Sequence, residues 1–227
     1  MNIGLLYSRI RKDEKLLLSE LRERDHDITK IDVRKQQFNI SEAPEAFDDL
    51  DIVVDRCLST SRSVYATKFA KAYDVPVVNG PDVAEVCADK VKNSLALVEA
   101  GVPTPRTTVV SNPVDEAVVT EAVAPFEYPV VVKPNSATRG VGVATAADLD
   151  SLLGVVDYLN LVHDYRATGD KSYLIQEFLP QARDYRAMVV DGAYAGAVRR
   201  ELDADALAAG RWKHNVHRGA TAQGVDL

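Results

Sequence analysis

Residues 128–143 read YPVVVKPNSATRGVGV and residues 174–178 read LIQEF. In the first stretch an apolar run closes on Lys133-Pro134 and passes into a small, flexible loop holding Gly140 and Gly142; in the second an apolar run closes on Gln176-Glu177-Phe178. A lysine at the end of an apolar strand is expensive unless its ammonium meets an anion or water. Glycines let a backbone come close to a phosphate, and Ser136 and Thr138 add hydroxyl donors. Phosphoryl chemistry is mostly positioning and charge neutralisation, which is what fixed cations and backbone donors supply. Each part alone has a plainer explanation: Lys133 is then a strand-end lysine in solvent, and Gly-x-Gly a hairpin turn. The loop lacks the Gly-Lys-Ser/Thr closure of a Walker A loop, and a strand rather than a helix is expected after it, which excludes a dinucleotide fingerprint.

Further charged residues follow the same order along the chain. Lys90 comes after Asp89 in a stretch whose apolar positions include Val83, Val86, Leu95 and Leu97; alone it belongs to a solvated helix face. Glu177 and Phe178 could begin a hinge whose backbone reads adenine while aromatic and aliphatic side chains sandwich the ring, and a strand end with a core Phe would look the same. Arg183, Asp184 and Arg186 bring more charge than a strand start needs, as would a surface cluster. Arg199-Arg200 precede the run Arg211-Trp212-Lys213-His214-Asn215-Val216-His217-Arg218-Gly219. Cations with amide and imidazole donors suit a carboxylate or an acyl phosphate, although a lone basic loop is usually solvated surface. His214 and His217 also suggest metal, but no third and fourth ligand type gathers with them, which argues against zinc.

The elements that must hold these residues can be read from periodicity and punctuation. Strands are expected at 3–7, 28–33, 52–54 and 75–78, with helices at 12–24 (Leu16, Leu17 and Leu21 on its apolar side) and 63–73, which is the alternation of a small parallel α/β domain. A helix over 82–100 is stopped by Gly101-Val102-Pro103-Thr104-Pro105. Beyond it come a strand after Arg106, a helix at 114–123, strands at 130–132 and 141–144, a helix at 148–162, and strands at 173–176, 186–190 and 193–199. Asp191-Gly192 joins the last two as a favoured hairpin turn.

Composition narrows the class. The chain of 227 residues has 46% hydrophobic and 27% charged residues, the balance of a globular protein with room for a substantial core. A formal charge of -7 argues against nucleic acid as a partner. Cys57 and Cys87 stand in no metal spacing, and neither a signal peptide nor a membrane span is visible, so a reduced cytoplasmic protein is expected, with no membrane partner.

Taken in order, these motifs resemble those of ATP-grasp carboxylate-amine ligases, and within them the RimK and LysX branch. Asp89-Lys90 before Gly101-Val102-Pro103-Thr104-Pro105, the Val-Val-Lys strand and glycine loop of 131–142, Gln176-Glu177-Phe178, Asp184-Tyr185-Arg186 and Asn215-Val216-His217-Arg218-Gly219 each match a family motif, and together they span essentially the whole chain. Tyr7-Ser8-Arg9-Ile10-Arg11, Asp55-Arg56-Cys57 and Ser61-Arg62 look like the LysX-type start, whereas Ala137-Thr138-Arg139-Gly140-Val141-Gly142 and the segment 215–219 look RimK-like.

The resemblance implies an α/β ATP-grasp fold: a Rossmann-like N-terminal domain at 1–80, a linking helix and lid domain at 81–170, and an incomplete C-terminal ATP-grasp domain at 171–227. It implies ATP-dependent ligation of an amino acid, L-glutamate in the RimK-type reading, to a carboxylate acceptor through an acyl phosphate, the acceptor being a small molecule or a protein C-terminus. The alternatives are a LysX-type ligase acting on a carrier protein and a non-catalytic ATP-binding module; the oligomeric state, including a homo-oligomer, stays open. Lys90 and Lys133 would contact ATP phosphates, with Ser136, Thr138, Gly140 and Gly142 covering them. Gln176, Glu177 and Phe178 would form the adenine hinge and Asp184 would take the ribose hydroxyls, with Arg186 as a helper. Arg200, Asn215 and Arg218 would hold the transferred phosphate and the acyl phosphate, while Arg199 stands where RimK-type members usually carry an acid. Magnesium ligands would lie beyond Leu227, since Asp226 comes too early to match them, and residues 1–227 alone are expected to lack the metal segment.

Overall fold

The computed structural model describes residues 1–58, 60–138, 140–166, 171–216 and 219–227. They divide into two compact units, Met1–Thr104 and Pro105–Leu227.

The first unit is built on a parallel sheet. Strands β1 (Asn2–Tyr7), β2 (Asp27–Asp32), β3 (Ile52–Arg56) and β4 (Val77–Val78) lie in the order β2-β1-β3-β4, connected through helices α1 (Lys12–Glu23) and α2 (Thr60–Ala72). The apolar run of β1 suits a central strand, and Leu5 and Leu6, which point to opposite faces, are both fully buried. Leu6, Ile31, Val33, Phe47, Val53, Ala66, Ala70 and Val75 form the core. Gly4 is required by close approach, because a Cβ there would stand 2.8 Å from Leu50 Cδ1 and 2.9 Å from Val53 Cγ2.

Two helical expectations need correction. In α1 the inward positions are Glu14 and Leu18, with Leu17 and Leu21 beside them, while Leu16 faces out at 60% exposure. The helical repeat places residues three and four apart on one face, so a buried Glu14 selects Leu18 rather than Leu16. The helix expected over 82–100 is two, α3 (Pro81–Ala88) and α4 (Lys90–Glu99), broken at Asp89, whose backbone is extended (φ -127°, ψ 121°). Asp89 caps α4 by accepting a hydrogen bond from the Lys92 N–H at 2.9 Å.

The second unit contains two antiparallel sheets. Strands β5 (Thr107–Ser111), β6 (Val130–Pro134), β7 (Ala144–Ala146) and β8 (Ser172–Glu177) assemble in the order β5-β8-β6-β7. Val130 and Val132 of β6 and Tyr173 and Ile175 of β8 share a buried cluster with Val119 and Val123 of α5 (Glu116–Val123) and Leu152, Val156 and Leu159 of α6 (Leu149–Arg166). With its period of two, this pattern turns Val131 and Lys133, and Leu174 and Gln176, to the other face. The strand expected at 141–144 begins only at Ala144, because Gly140 and Gly142 have positive φ (69° and 72°) and hold the chain in turns.

Strands β9 (Asp184–Val190), β10 (Ala193–Glu201) and β11 (Thr221–Val225) form the remaining sheet in the order β11-β10-β9. Asp191 and Gly192 both take positive φ at the hairpin turn (49° and 74°). Periodicity does not point to β11 or to α7 (Ala204–Ala208), whose first turn Asp203 caps by accepting from the Ala206 N–H at 2.7 Å.

Glu14 generates a prediction. Its buried carboxylate accepts from Arg11 Nη2 at 2.7 Å, from the Arg11 main-chain N–H at 2.9 Å and from Arg56 Nη2 at 2.9 Å, and the Arg11 guanidinium above all holds its pKa down, to about 2. A depressed carboxylate pKa stabilises the fold above the ordinary range near 4.5, and that stability drains away as pH falls toward 2. Both arginines stay more than one-third exposed (39% and 37%), so solvent screening reduces the cost of breaking the pair. Glu14→Gln should lower stability at pH 7 by about 1–3 kcal/mol. Its urea midpoint should also change less between pH 7 and pH 3 than that of the parent; equal pH dependence in the two proteins would contradict this account.

Candidate functional site

Strand register brings the first group of candidate residues together. Gln176 of β8 lies opposite Val131 and Lys133 of β6 lies opposite Leu174, so Lys133 and Gln176 are diagonal neighbours on the face turned away from α5 and α6. The Lys133 ammonium donates to Gln176 Oε1 at 2.6 Å. On the other side of β8, Thr107 of β5 lies opposite Gln176, and its Oγ1 accepts from Gln176 Nε2 at 2.7 Å. Lys133 is half-buried, and desolvation lowers its pKa from that of an exposed lysine. A cation held this way gains from any anion that comes to share the site.

Glu177 and Phe178 follow directly. Glu177 has its carboxylate tied to Arg106, accepting from the main-chain N–H at 2.8 Å and from Nε at 3.2 Å, and these contacts keep its pKa below the usual carboxylate range. Its own N–H donates to Arg106 O at 3.0 Å. Strand pairing ends at Glu177, so the main chain from Phe178 onward leaves the ladder. The Phe178 ring meets Trp212 edge to face, with centroids 5.6 Å apart and planes at 84°.

Residues 211–215 touch several of these elements in turn. Trp212 packs on Phe178, Lys213 Nζ donates to the carbonyl of Val143 beyond the glycine loop, and His214 Nδ1 lies 2.9 Å from Arg200 O. The Asn215 side chain lies against Gly140, where a Cβ would come within 3.0 Å of Oδ1. Gly142 is as close to Pro134, its Cβ position being 3.0 Å from Cγ. Beside this segment, a cavity of about 510 Å³ is lined by Gly210, Arg211, Trp212 and Lys213. Asp184 and Arg200, opposite one another across β9 and β10, form a close pair in which both carboxylate oxygens accept from Nη2 (2.6 and 2.7 Å) and Oδ1 also accepts from Nε at 2.9 Å.

The other candidates are placed less centrally. Ser136 and Thr138 are exposed on the loop after β6, and the Thr138 carbonyl accepts from the Val141 N–H at 3.2 Å. Arg186 is exposed on β9 opposite Val198 of β10, and Arg199 pairs with Glu201. Lys90 is the first residue of α4 and belongs to the first unit. Arg218 lies outside the described residues, as do Arg139 and His217. Sequence reading passes over Arg106 and Thr107, which hold Glu177 and Gln176. Nothing in their residue types marks them; the signal is the β5–β8 register.

An anionic ligand such as a phosphate suits a half-buried ammonium on a strand that runs into a loop with two left-handed glycines. A metal cage does not emerge, since among the described residues no three His, Cys, Asp or Glu side chains gather to hold an ion. Nor, among them, is any helix long and apolar enough to cross a membrane.

The chain is similar to known proteins along its whole length. Residues 3–86 match the LysX preATP-grasp domain and residues 87–227 match the RimK-like ATP-grasp domain. The alpha-aminoadipate–LysW ligase LysX of Sulfurisphaera tokodaii is 29% identical over 231 residues, covering 100% of this chain and 76% of its own. A probable alpha-L-glutamate ligase of Methanococcoides burtonii is 27% identical over 241 residues, covering 100% of this chain and 75% of its own. The crystal structure of a RimK domain ATP-grasp protein from Sphaerobacter thermophilus superposes with a TM-score of 0.72 at 26% identity, covering 88% of this chain and 73% of that one.

The glycine loop supplies a test of local geometry. Gly140→Ala must adopt a positive φ and also crowd Asn215 Oδ1, and the backbone term alone should cost about 1–2 kcal/mol. In an Asn215→Ala background the crowding disappears while the φ cost stays, so the urea-midpoint loss should shrink without vanishing. A Gly140→Ala protein as stable as the parent would refute the loop conformation.

Proposed function

The chain belongs to the RimK-like ATP-grasp family of carboxylate-amine ligases, and from that premise we propose that it joins an amino acid, L-glutamate in the first instance, to a carboxylate acceptor at the expense of ATP. The observation that carries this reading is the convergence of the Lys133–Gln176 pair, the glycine loop and the 211–215 segment within one compact unit. In the proposed reaction the acceptor carboxylate takes the γ-phosphoryl group of ATP, releasing ADP. The amine of the amino acid then attacks the acyl phosphate, an amide bond forms and phosphate leaves.

Roles for the side chains are those that the family resemblance implies. Lys133 neutralises nucleotide phosphates, and the loop bearing Ser136, Thr138, Gly140 and Gly142 lies over them; for Lys90, in the first unit, the resemblance alone implies a phosphate contact. Gln176, Glu177 and Phe178 form the hinge that meets adenine through the backbone, and Asp184 receives the ribose hydroxyls. Arg200 and Asn215, with Arg218, hold the transferred phosphate, and Arg186 assists. Electrostatic stabilisation by such fixed groups is the main catalytic resource of phosphoryl transfer. Magnesium would accompany the nucleotide and neutralise phosphate charge, and among the described residues no three His, Cys, Asp or Glu side chains gather to hold it. The division into 1–80, 81–170 and 171–227 is our proposed domain assignment.

A second reading, ligation to a carrier protein, draws support from the LysX preATP-grasp match at residues 3–86 and from relatives named as LysW ligases. ADP release separates the two. Glutamate with peptide acceptors ending in a free carboxylate should drive it under the first reading; only a small acidic carrier protein, with glutamate or aminoadipate, should do so under the second. Absence of ADP with either acceptor class, in a protein that binds ATP, would leave the nucleotide-binding module.

Nucleotide binding is tested separately. Lys133→Ala should weaken ATP binding by about 1.5–3 kcal/mol, roughly 10- to 150-fold in Kd. Lys35→Ala, on the exposed turn after β2, should leave it unchanged. Equal affinities by calorimetry would remove Lys133 from the phosphate site.

A further inference from the structure

Thr107 is not among the residues assigned to the site, yet it decides how one of them is presented. Its hydroxyl donates to Pro105 O at 2.9 Å, a main-chain carbonyl that can only accept. With its proton committed there, Thr107 Oγ1 can only accept from Gln176, and it does so from Nε2 at 2.7 Å. That choice turns the amide so that Oε1 faces Lys133 Nζ at 2.6 Å. With the amide reversed, an N–H₂ group would face an ammonium, donor against donor. The polarity of the whole chain, Lys133 to Gln176 to Thr107 to Pro105, is thus fixed at its far end by a peptide carbonyl.

We propose that Thr107 is a positioning residue, which, by fixing the Gln176 amide, holds the Lys133 ammonium with its remaining N–H donors available to the nucleotide phosphates. The proposal rests on the assignment of Lys133 to the phosphate site. Its physical content is preorganisation. A lysine has a long, flexible stem and three rotatable donors, so an acceptor that fixes one of them narrows the directions of the other two. Among the described residues Gln176 is the hydrogen-bond acceptor for Lys133, so the orientation depends on this one amide. Arg106, the neighbour of Thr107, holds Glu177 instead, and the two residues at the start of β5 therefore divide the work of fixing the end of β8.

The experiment compares Thr107→Val, which keeps the shape and removes the hydroxyl, with Thr107→Ser, which keeps the hydroxyl. Binding of ATP, ADP and adenosine is measured by calorimetry on each full chain. Thr107→Val should weaken ATP and ADP about tenfold and leave adenosine within twofold, while Thr107→Ser should bind all three like the parent. In a Lys133→Ala background, Thr107→Val should cost no further ATP affinity. Thr107→Ala serves as a second probe if the valine variant does not fold; it too removes the hydroxyl that fixes the Gln176 amide, so ATP should weaken with adenosine unchanged. If Lys133→Ala loses ATP affinity but Thr107→Val and Thr107→Ala retain it, the positioning role is wrong and the phosphate site stands. If Lys133→Ala itself binds ATP like the parent, the site assignment fails instead. A parallel loss of adenosine and ATP in Thr107→Val would mark a structural role and overturn the proposal.

Discussion

Keeping an ammonium charged while half removing it from water is the constraint that organises the second unit. Lys133 sits in a strand whose neighbours Val130, Val131 and Val132 are buried, and a charge placed there must be compensated or it will be lost. One hydrogen bond to Gln176 supplies part of that compensation, and burial still lowers the pKa. An anion at this position would supply the solvation that the protein leaves incomplete. The sheet accordingly turns its helix-covered face to α5 and α6 and keeps Lys133 and Gln176 on the other.

The loop after β6 meets a different constraint, close approach. Gly140 and Gly142 adopt backbone angles that other residues resist, and at each a Cβ would stand 3.0 Å from a neighbour that would have to give way, Asn215 in one case and Pro134 in the other. The 211–215 segment makes the loop part of a larger arrangement through Lys213 on the Val143 carbonyl and Trp212 on Phe178. Asp184 and Arg200 neutralise one another across the β9–β10 hairpin.

In the first unit the corresponding burden is carried by Glu14. Two guanidinium groups and a main-chain N–H surround its buried carboxylate. The same requirement explains why α1 presents Leu18 rather than Leu16 to the sheet: the helix is rotated to deliver a carboxylate to Arg56 at the end of β3. A pattern of leucines alone describes the width of an apolar stripe, but a buried charge can shift its centre.

Much of this protein was already legible in its residues. Apolar runs and turn signals marked the parallel strands of the first unit and the hairpin at Asp191-Gly192, because period and punctuation are local properties. The order of Asp89-Lys90, the Lys133 strand, the glycine loop, Gln176-Glu177-Phe178 and the 215–219 segment indicated the family, because the chemistry fixes residue types in sequence. What only the tertiary structure decided was pairing. That Thr107 faces Gln176, that Gln176 lies diagonal to Lys133, that Arg106 holds Glu177 and that Arg200 meets Asp184 all depend on strand register. The break at Asp89 and the inward turn of Glu14 likewise came from a cap and a charge pair. Register is a property of two strands and the core that aligns them, and no single stretch of sequence contains it.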